Sequence, residues 1–256
     1  VLTYAPAETV MKAGGPYYIK DTDITNRTAQ AVVGANGTTT WTHVVSATRA
    51  LPENRRLHQL TIVPDGRVLL TGGWKADPEP QDPESFFYGL TPYFFHNGTW
   101  GPQQLSPVNR RLADDLARRS YHTSAVLLPD ARILCAGGPP EDDTLTATVY
   151  SPPYLFKDAT TLADRPVITS APNYTVHYNE PFYVDVDVDP GATPIDSIEI
   201  LCLIRPGAAT HSFDQSQRYV SLPFTLTHGM LRTVLTDNAG KVPPGDYLLF
   251  AVRTGV

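Results

Sequence analysis

The sequence predicts an all-β protein in two parts: repeated four-stranded blades over residues 1–160, then a β-sandwich over 161–256. Three observations carry this reading. The 256 residues include 24 Pro and 18 Gly, a share of turn-formers from which long helices are hard to build. A pattern running from Arg-Arg to Gly-Gly recurs in the first part. Short strand-like runs with period-2 alternation fill the second. No segment has a convincing amphipathic helical period.

The first part is justified by its repeat. Residues 55–73 read RRLHQLTIVPDGRVLLTGG and residues 118–138 read RRSYHTSAVLLPDARILCAGG. Both run Arg-Arg, His, apolar stretch, Pro-Asp, apolar stretch, Gly-Gly. Each unit therefore reads as strand, turn, strand, Gly-Gly exit. Gly72 and Gly137 are 65 residues apart, and Gly14-Gly15 closes an earlier apolar piece, ETVMKAGG. Strand-like pieces ending in Trp41 and Trp100 lie between the units. A four-stranded unit with Gly pairs and a late Trp fits a kelch-type β-propeller blade. Two hairpins of an ordinary sandwich are the alternative.

Near residue 150 the text changes. SPPYLF (151–156) to Arg165-Pro166 reads as a linker. Strands are then expected at 174–178, 182–188, 197–204, 219–226, 231–236 and 246–252, an immunoglobulin-like sandwich.

Hydrophobic residues make up 41% and charged residues 18%, which excludes a disordered chain or a coiled coil. The net charge of −6 lacks the electrostatic footprint of nucleic-acid binding. No apolar run approaches the ~20 residues of a membrane helix. The chain opens at Val1 without a signal peptide and reads as a mature or trimmed product. Cys135 and Cys202 sit in separate apolar runs, read as small buried hydrophobes rather than a disulfide framework. Four sequons, at Asn26, Asn36, Asn97 and Asn173, point to a secreted, extracellular glycoprotein.

The residues that can carry chemistry are Tyr121, His122 and His211. His122 follows Tyr121 at the start of a blade's first strand. His211 lies in RPGAATHSFDQSQR, a polar segment between apolar strands. Two imidazoles and a phenol oxygen suit Cu(II). In an ideal strand Tyr121 and His122 point to opposite faces, so both reach one metal only at a strand end or a distortion. A core histidine and a surface-loop histidine would leave the same trace. Asp114-Asp115 and Asp142-Asp143 read as solvated turns.

RRSYHTSAVLLPDARILCAGG resembles the Tyr-His blade motif of the galactose oxidase and glyoxal oxidase family. SPPYLF with RPVI, LIRPGAATHSFDQSQR and VPPGDYLLFAV resemble that family's C-terminal domain in order and spacing. The resemblance covers nearly the whole chain. It implies the last blades of a seven-bladed kelch-type propeller followed by an immunoglobulin-like domain. It further implies one copper held by Tyr121, axial, and by His122 and His211, equatorial. Such enzymes are oxidoreductases that pair Cu(II) with a radical on a second tyrosine cross-linked to a cysteine. They oxidise a primary alcohol or aldehyde with O2, giving hydrogen peroxide, with the axial tyrosinate as general base.

The family's Tyr-Cys radical cofactor lies in earlier blades than those present, and neither Cys135 nor Cys202 fits its cysteine. The resemblance therefore implies that the remaining blades come from another segment or chain. Tyr17, Tyr18 and Lys20, in the loop after Gly14-Gly15, are substrate-pocket candidates. So is His58, read into the Tyr-His slot of the preceding blade with Leu57 in the tyrosine's place; packing is its other reading. Gln217-Arg218, just after His211, are expected to brace its loop. The competing function is a non-catalytic carbohydrate or cell-wall binding module, or a structural kelch protein, without the radical cofactor.

Overall fold

The computed structural model describes residues 2–4, 9–15, 25–33, 38–44, 50–76, 86–96, 98–101, 112–139, 145–158, 160–172, 175–187, 198–236 and 238–253. Their secondary structure is strands and turns, with one short 3-10 turn at Pro153–Leu155.

Three antiparallel sheets follow one another. The first is β1 (Leu2–Tyr4), β2 (Thr9–Ala13), β3 (Thr28–Val33) and β4 (Thr39–Val44), in chain order. The second pairs β5 (Gln59–Ile62) and β6 (Val68–Thr71) with β9 (Tyr93–His96) and β10 (Thr99–Gly101) in the order β5-β6-β9-β10. A small hairpin, β7 (Trp74–Ala76) with β8 (Phe86–Tyr88), interrupts it. The third is β11 (Ser124–Leu127), β12 (Ile133–Ala136) and β13 (Ala147–Tyr150).

The repeat in the sequence is a repeat in hydrogen bonding. In the Pro-Asp turn of the second sheet, the Val63 amide donates to the Arg67 carbonyl (3.0 Å) and the Gly66 amide to the Val63 carbonyl (2.9 Å). In the third, the Leu128 amide donates to the Arg132 carbonyl (2.8 Å) and the Ala131 amide to the Leu128 carbonyl (2.9 Å). The Gly-Gly exits explain themselves by close approach. The Gly15 amide donates to the Arg55 carbonyl (2.9 Å) and the Gly73 amide to the Arg119 carbonyl (2.6 Å). Gly14 and Gly72 have φ of 75° and 63°. A Cβ on either would collide with the same arginine carbonyl. These two glycine pairs are thus where one blade's backbone meets the next.

A sandwich follows. One sheet has the order β14 (Val167–Ser170), β15 (Pro181–Asp187), β21 (Met230–Val234), β20 (Phe224–Thr227). The other is β19 (Arg218–Ser221), β16 (Ile198–Arg205), β22 (Leu248–Arg253). Phe182, Val184 and Val186 of β15 point into a core with Leu201, Leu203 and Leu231, the period-2 alternation made physical.

Three strand expectations need correction. Residues 219–226 are two strands in different sheets, because Leu222 continues pairing to Leu201 while Pro223 has no amide to extend it. The segment at 174–178 contributes only a bridge from Tyr178 to Leu235 among its described residues. β14, directly after Pro166, is a strand that the expected set left out.

The two parts share one core. Met11, Leu70, Phe95 and Trp100 of the blades cluster with Leu155, Cys202, Ile204 and Phe250. The Tyr219 hydroxyl donates to the Pro64 carbonyl (3.3 Å) and the Tyr154 hydroxyl to the Ala131 carbonyl (2.6 Å). Cys202 is a free thiol buried in this shared core, and Cys135 is one buried in a second cluster between the blades, with Val63, Phe94 and Ile133. Burial pushes their pKa values up to about 11 and about 12.

Candidate metal centre

Two left-handed residues build the site. Ahead of β11 the chain turns tightly, the Thr123 amide donating to the Ser120 carbonyl (3.2 Å), and His122 has φ 61°. That φ undoes the opposed directions of an extended strand. The Tyr121 and His122 rings lie side by side, centroids 3.6 Å apart at 32°.

The other half comes from the sandwich. After β16 the chain forms a short hairpin, β17 (Ala209–Thr210) with β18 (Phe213–Asp214), and β17 lies against β11. His211 and Ser212 are its two turn residues, with φ 51° and 63°. Positive φ at both central positions is the type I′ hairpin turn, which favours Asn-Gly. A histidine there is held at a backbone cost typical of functional sites. Its ring reaches the pair on the blade: His211 Nε2 lies 3.4 Å from Tyr121 Oη. The His211 centroid is 5.2 Å from Tyr121 and 5.3 Å from His122, both nearly edge-on. His211 Nδ1 is hydrogen-bonded to Thr210 Oγ1 at 2.7 Å. With Nδ1 engaged, Nε2 is the nitrogen turned to the other two side chains.

Residues that the sequence reading treated lightly hold these donors. Arg119, two residues before Tyr121, is fully buried. It is ion-paired with buried Asp115 (3.0 Å), and its guanidinium also donates to the Gly137 carbonyl (3.1 Å). Asp115 additionally accepts from the Ala117 amide (3.0 Å) and the Thr148 hydroxyl (2.9 Å). Asp115 is therefore not the solvated turn residue expected, because a buried guanidinium requires a buried counter-charge. On the sandwich side, Asp214 accepts from the Ala208, Ser216 and Gln217 amides at 3.0–3.1 Å. Gln217 braces the loop. Arg218 instead donates to the Gly240 and Lys241 carbonyls at the sandwich.

By sequence and fold, the surroundings of this cluster are recognisable. Residues 165–256 match the galactose oxidase-like early set domain. The chain is 33% identical over 229 residues to aldehyde oxidase GLOX of Vitis pseudoreticulata, covering 84% of this chain and 42% of that protein. It is 28% identical over 252 residues to galactose oxidase of Gibberella zeae, covering 96% of this chain and 34% of that one. Residues 165–256 thus carry the galactose oxidase-like early set domain, and along most of its length the chain is similar to these two oxidases. It spans about two fifths or less of the length of these two relatives. A fungal alcohol oxidase solved in complex with copper shares the fold, with TM-score 0.78 at 23% identity over 99% of this chain and 50% of that one.

In this chain two imidazoles and one phenol oxygen converge from a blade and a sandwich hairpin. That donor set fits Cu(II), which favours N and O ligands. Among the described residues no group of three His, Cys, Asp or Glu is placed to hold a metal, so the phenol is what completes the set.

His58 is placed differently from the expectation. In strand register Gln59 faces Thr71 as Ser124 faces Ala136, which sets His58 against Thr123. Leu57, with φ 56°, takes the left-handed place of His122. The blade with β11 has one residue more between its buried arginine and its strand, and Tyr121 is that residue. His58 and His211 line one pocket of about 300 Å³ with Lys12, Leu57 and Phe213.

His58 is buried, and desolvation together with the Arg55 charge lowers its pKa to about 3. The folded state keeps it neutral, while the unfolded chain protonates it below about pH 6.5. Stability carried by neutral His58 is complete above pH 6.5 and is lost as pH falls towards 3, by roughly 5 kcal/mol in all. Urea titrations between pH 7 and pH 4 should therefore show a flatter acid limb for His58→Gln than for the unmodified protein. Parallel limbs would refute this.

Tyr17, Tyr18, Lys20, Asn36, Asn97, Asn173 and Asp142-Asp143 lie outside the described residues. Asn26 is half-buried, its carbonyl accepting from the Leu51 amide (2.8 Å). No helix among the described residues is long and apolar enough to cross a membrane.

Proposed function

We propose that this chain is the C-terminal part of a secreted copper radical oxidase, with blades over 1–160 and an immunoglobulin-like domain over 161–256. In this reading one copper is held by Tyr121, His122 and His211. The substrate is a primary alcohol or aldehyde, and O2 is reduced to hydrogen peroxide. The remaining kelch-type blades and the Tyr-Cys radical cofactor come from another segment or chain. The observation that carries the reading is the convergence of three donors from a blade and a sandwich hairpin, two of them on left-handed backbone. The four sequons support an extracellular setting.

When bound, copper supplies Lewis-acid and one-electron chemistry. The chain's own residues do the rest. His122 and His211 fix two nitrogen donors on opposite sides of the domain junction. Thr210 holds the His211 ring so that Nε2 is presented. Tyr121, only partly covered, offers Oη as the proton acceptor for a substrate hydroxyl.

The test is an EPR spectrum of the copper-loaded protein, read alongside Tyr121→Phe. One Cu(II) with nitrogen hyperfine structure is expected in both. Turnover of alcohol or aldehyde, supplied by the complete enzyme, should fall by about 10²–10⁴-fold in the variant. Absence of stoichiometric copper would overturn the oxidase reading in favour of a binding or structural module. Unchanged turnover would remove the base role from Tyr121.

A further inference from the structure

We propose that Gln217, held by Asp214, is the positioning residue that registers the His211 hairpin on the blade and thereby sets copper affinity. This rests on the copper site proposed above. The hairpin needs an anchor of its own. Its ladder is only two residue pairs, Ala209 with Asp214 and Thr210 with Phe213, and an isolated two-stranded ribbon is marginally stable in water. Yet its tip must meet Tyr121 and His122, which belong to a different sheet.

The anchor is a side chain that stands in for a strand. β5 is the edge strand of its sheet. The Ile62 amide donates to Gln217 Oε1, and Gln217 Nε2 donates to the Leu60 carbonyl (3.3 Å). These two peptide groups, two residues apart on one edge, are those a neighbouring strand would pair with. The carboxamide of Gln217 takes that place, 155 residues along the chain from Ile62. Its own orientation is set by Asp214, whose Oδ2 accepts from Gln217 Nε2 at 2.7 Å. Asp214 and Gln217 are both buried, at 9% and 7% exposure. Gly207 completes the device: a Cβ there would collide with Asp214 Oδ2.

The consequence is geometric. A slip of one residue along β5 moves the hairpin by about 3.3 Å. Metal–ligand bonds tolerate only about 0.2 Å. A carboxamide with one donor side and one acceptor side matches Leu60 and Ile62 in a single register. Ion pairing or apolar contact alone would not select it.

The experiment is calorimetric titration of the protein with Cu(II), using Gln217→Met, which keeps the length and loses the hydrogen bonds. Affinity should drop about 10–100-fold, as for other residues that orient a ligand, with an unaltered circular dichroism spectrum. The EPR pattern should shift from two coordinated imidazoles towards one. Gly207→Ala, which displaces Asp214 without altering Gln217, should do the same and serves if Gln217→Met does not fold. His211→Ala is the control that separates the two ideas. If His211→Ala loses copper while Gln217→Met and Gly207→Ala bind it like the unmodified protein, the positioning role is wrong and the site stands. If His211→Ala binds copper normally, site and positioning role both fall.

Discussion

Replacing His211 by Ala is expected to weaken Cu(II) binding by about 10³-fold, equivalent to roughly 4 kcal/mol, while the protein stays folded. In the proposed site the imidazole is one of three donors, and among the described residues the sandwich half contributes no other. Its loss leaves Tyr121 and His122, adjacent in sequence on one blade. The fold should tolerate the change because His211 is exposed and the hairpin is tied down elsewhere, through Asp214 and Gln217. Alanine also accepts the same φ of 51° at a cost similar to that of histidine. Calorimetry with Cu(II) and a thermal melt decide it. Unchanged affinity would remove His211 from the site.

Replacing Asp115 by Ala is expected to destabilise the protein by about 3–5 kcal/mol, the usual loss when one partner of a buried ion pair is removed. Arg119 and Asp115 are each 2% exposed, so the stranded guanidinium has no water to turn to. It would keep bonds to the Gly137 carbonyl and to Thr146 and Thr148, none of which neutralises it. Arg119 also presents the carbonyl that receives the Gly73 amide (2.6 Å) and directly precedes the turn carrying Tyr121 and His122. The defect should therefore spread to the blade junction and to copper binding. In urea unfolding, the pair Asp115→Leu with Arg119→Met should cost less than Asp115→Ala alone. Additive losses would show that the two residues act independently.

Much of this could be read along the chain. The Arg-Arg to Gly-Gly repeat marked the blades because the turn chemistry and the glycine contacts are local, and they recur with the text. β15 was legible as PFYVDVD because alternate residues bury. Cys135 and Cys202 were legible as buried thiols from their apolar runs. What was misread shared one feature: each depended on a partner far away in sequence. Asp115 looks like a turn residue until Arg119 is seen buried beside it. Residues 219–226 look like one strand until Leu222 and Pro223 are seen parting between two sheets. His58 looks like a slot-mate of His122 until strand register shows the additional residue before β11. Asp214 carried a local signal, since its acceptance of the Ser216 and Gln217 amides is an Asx-type turn. Nothing local says that Gln217 continues across to β5.

By itself, the sequence determined the all-β class, the repeat, the turns and the identities of three candidate ligands. The first three follow from composition, period and residues adjacent in the chain, and the ligand candidates follow from the resemblance of their motifs to the galactose oxidase and glyoxal oxidase family. The tertiary structure alone decided that Tyr121 and His122 face the same way, through a left-handed φ that no strand pattern encodes. It alone brought His211 to them across 90 residues. Side-chain direction is a property of backbone dihedrals, and proximity is a property of packing. Both are set only when the blades and the sandwich close on a common core.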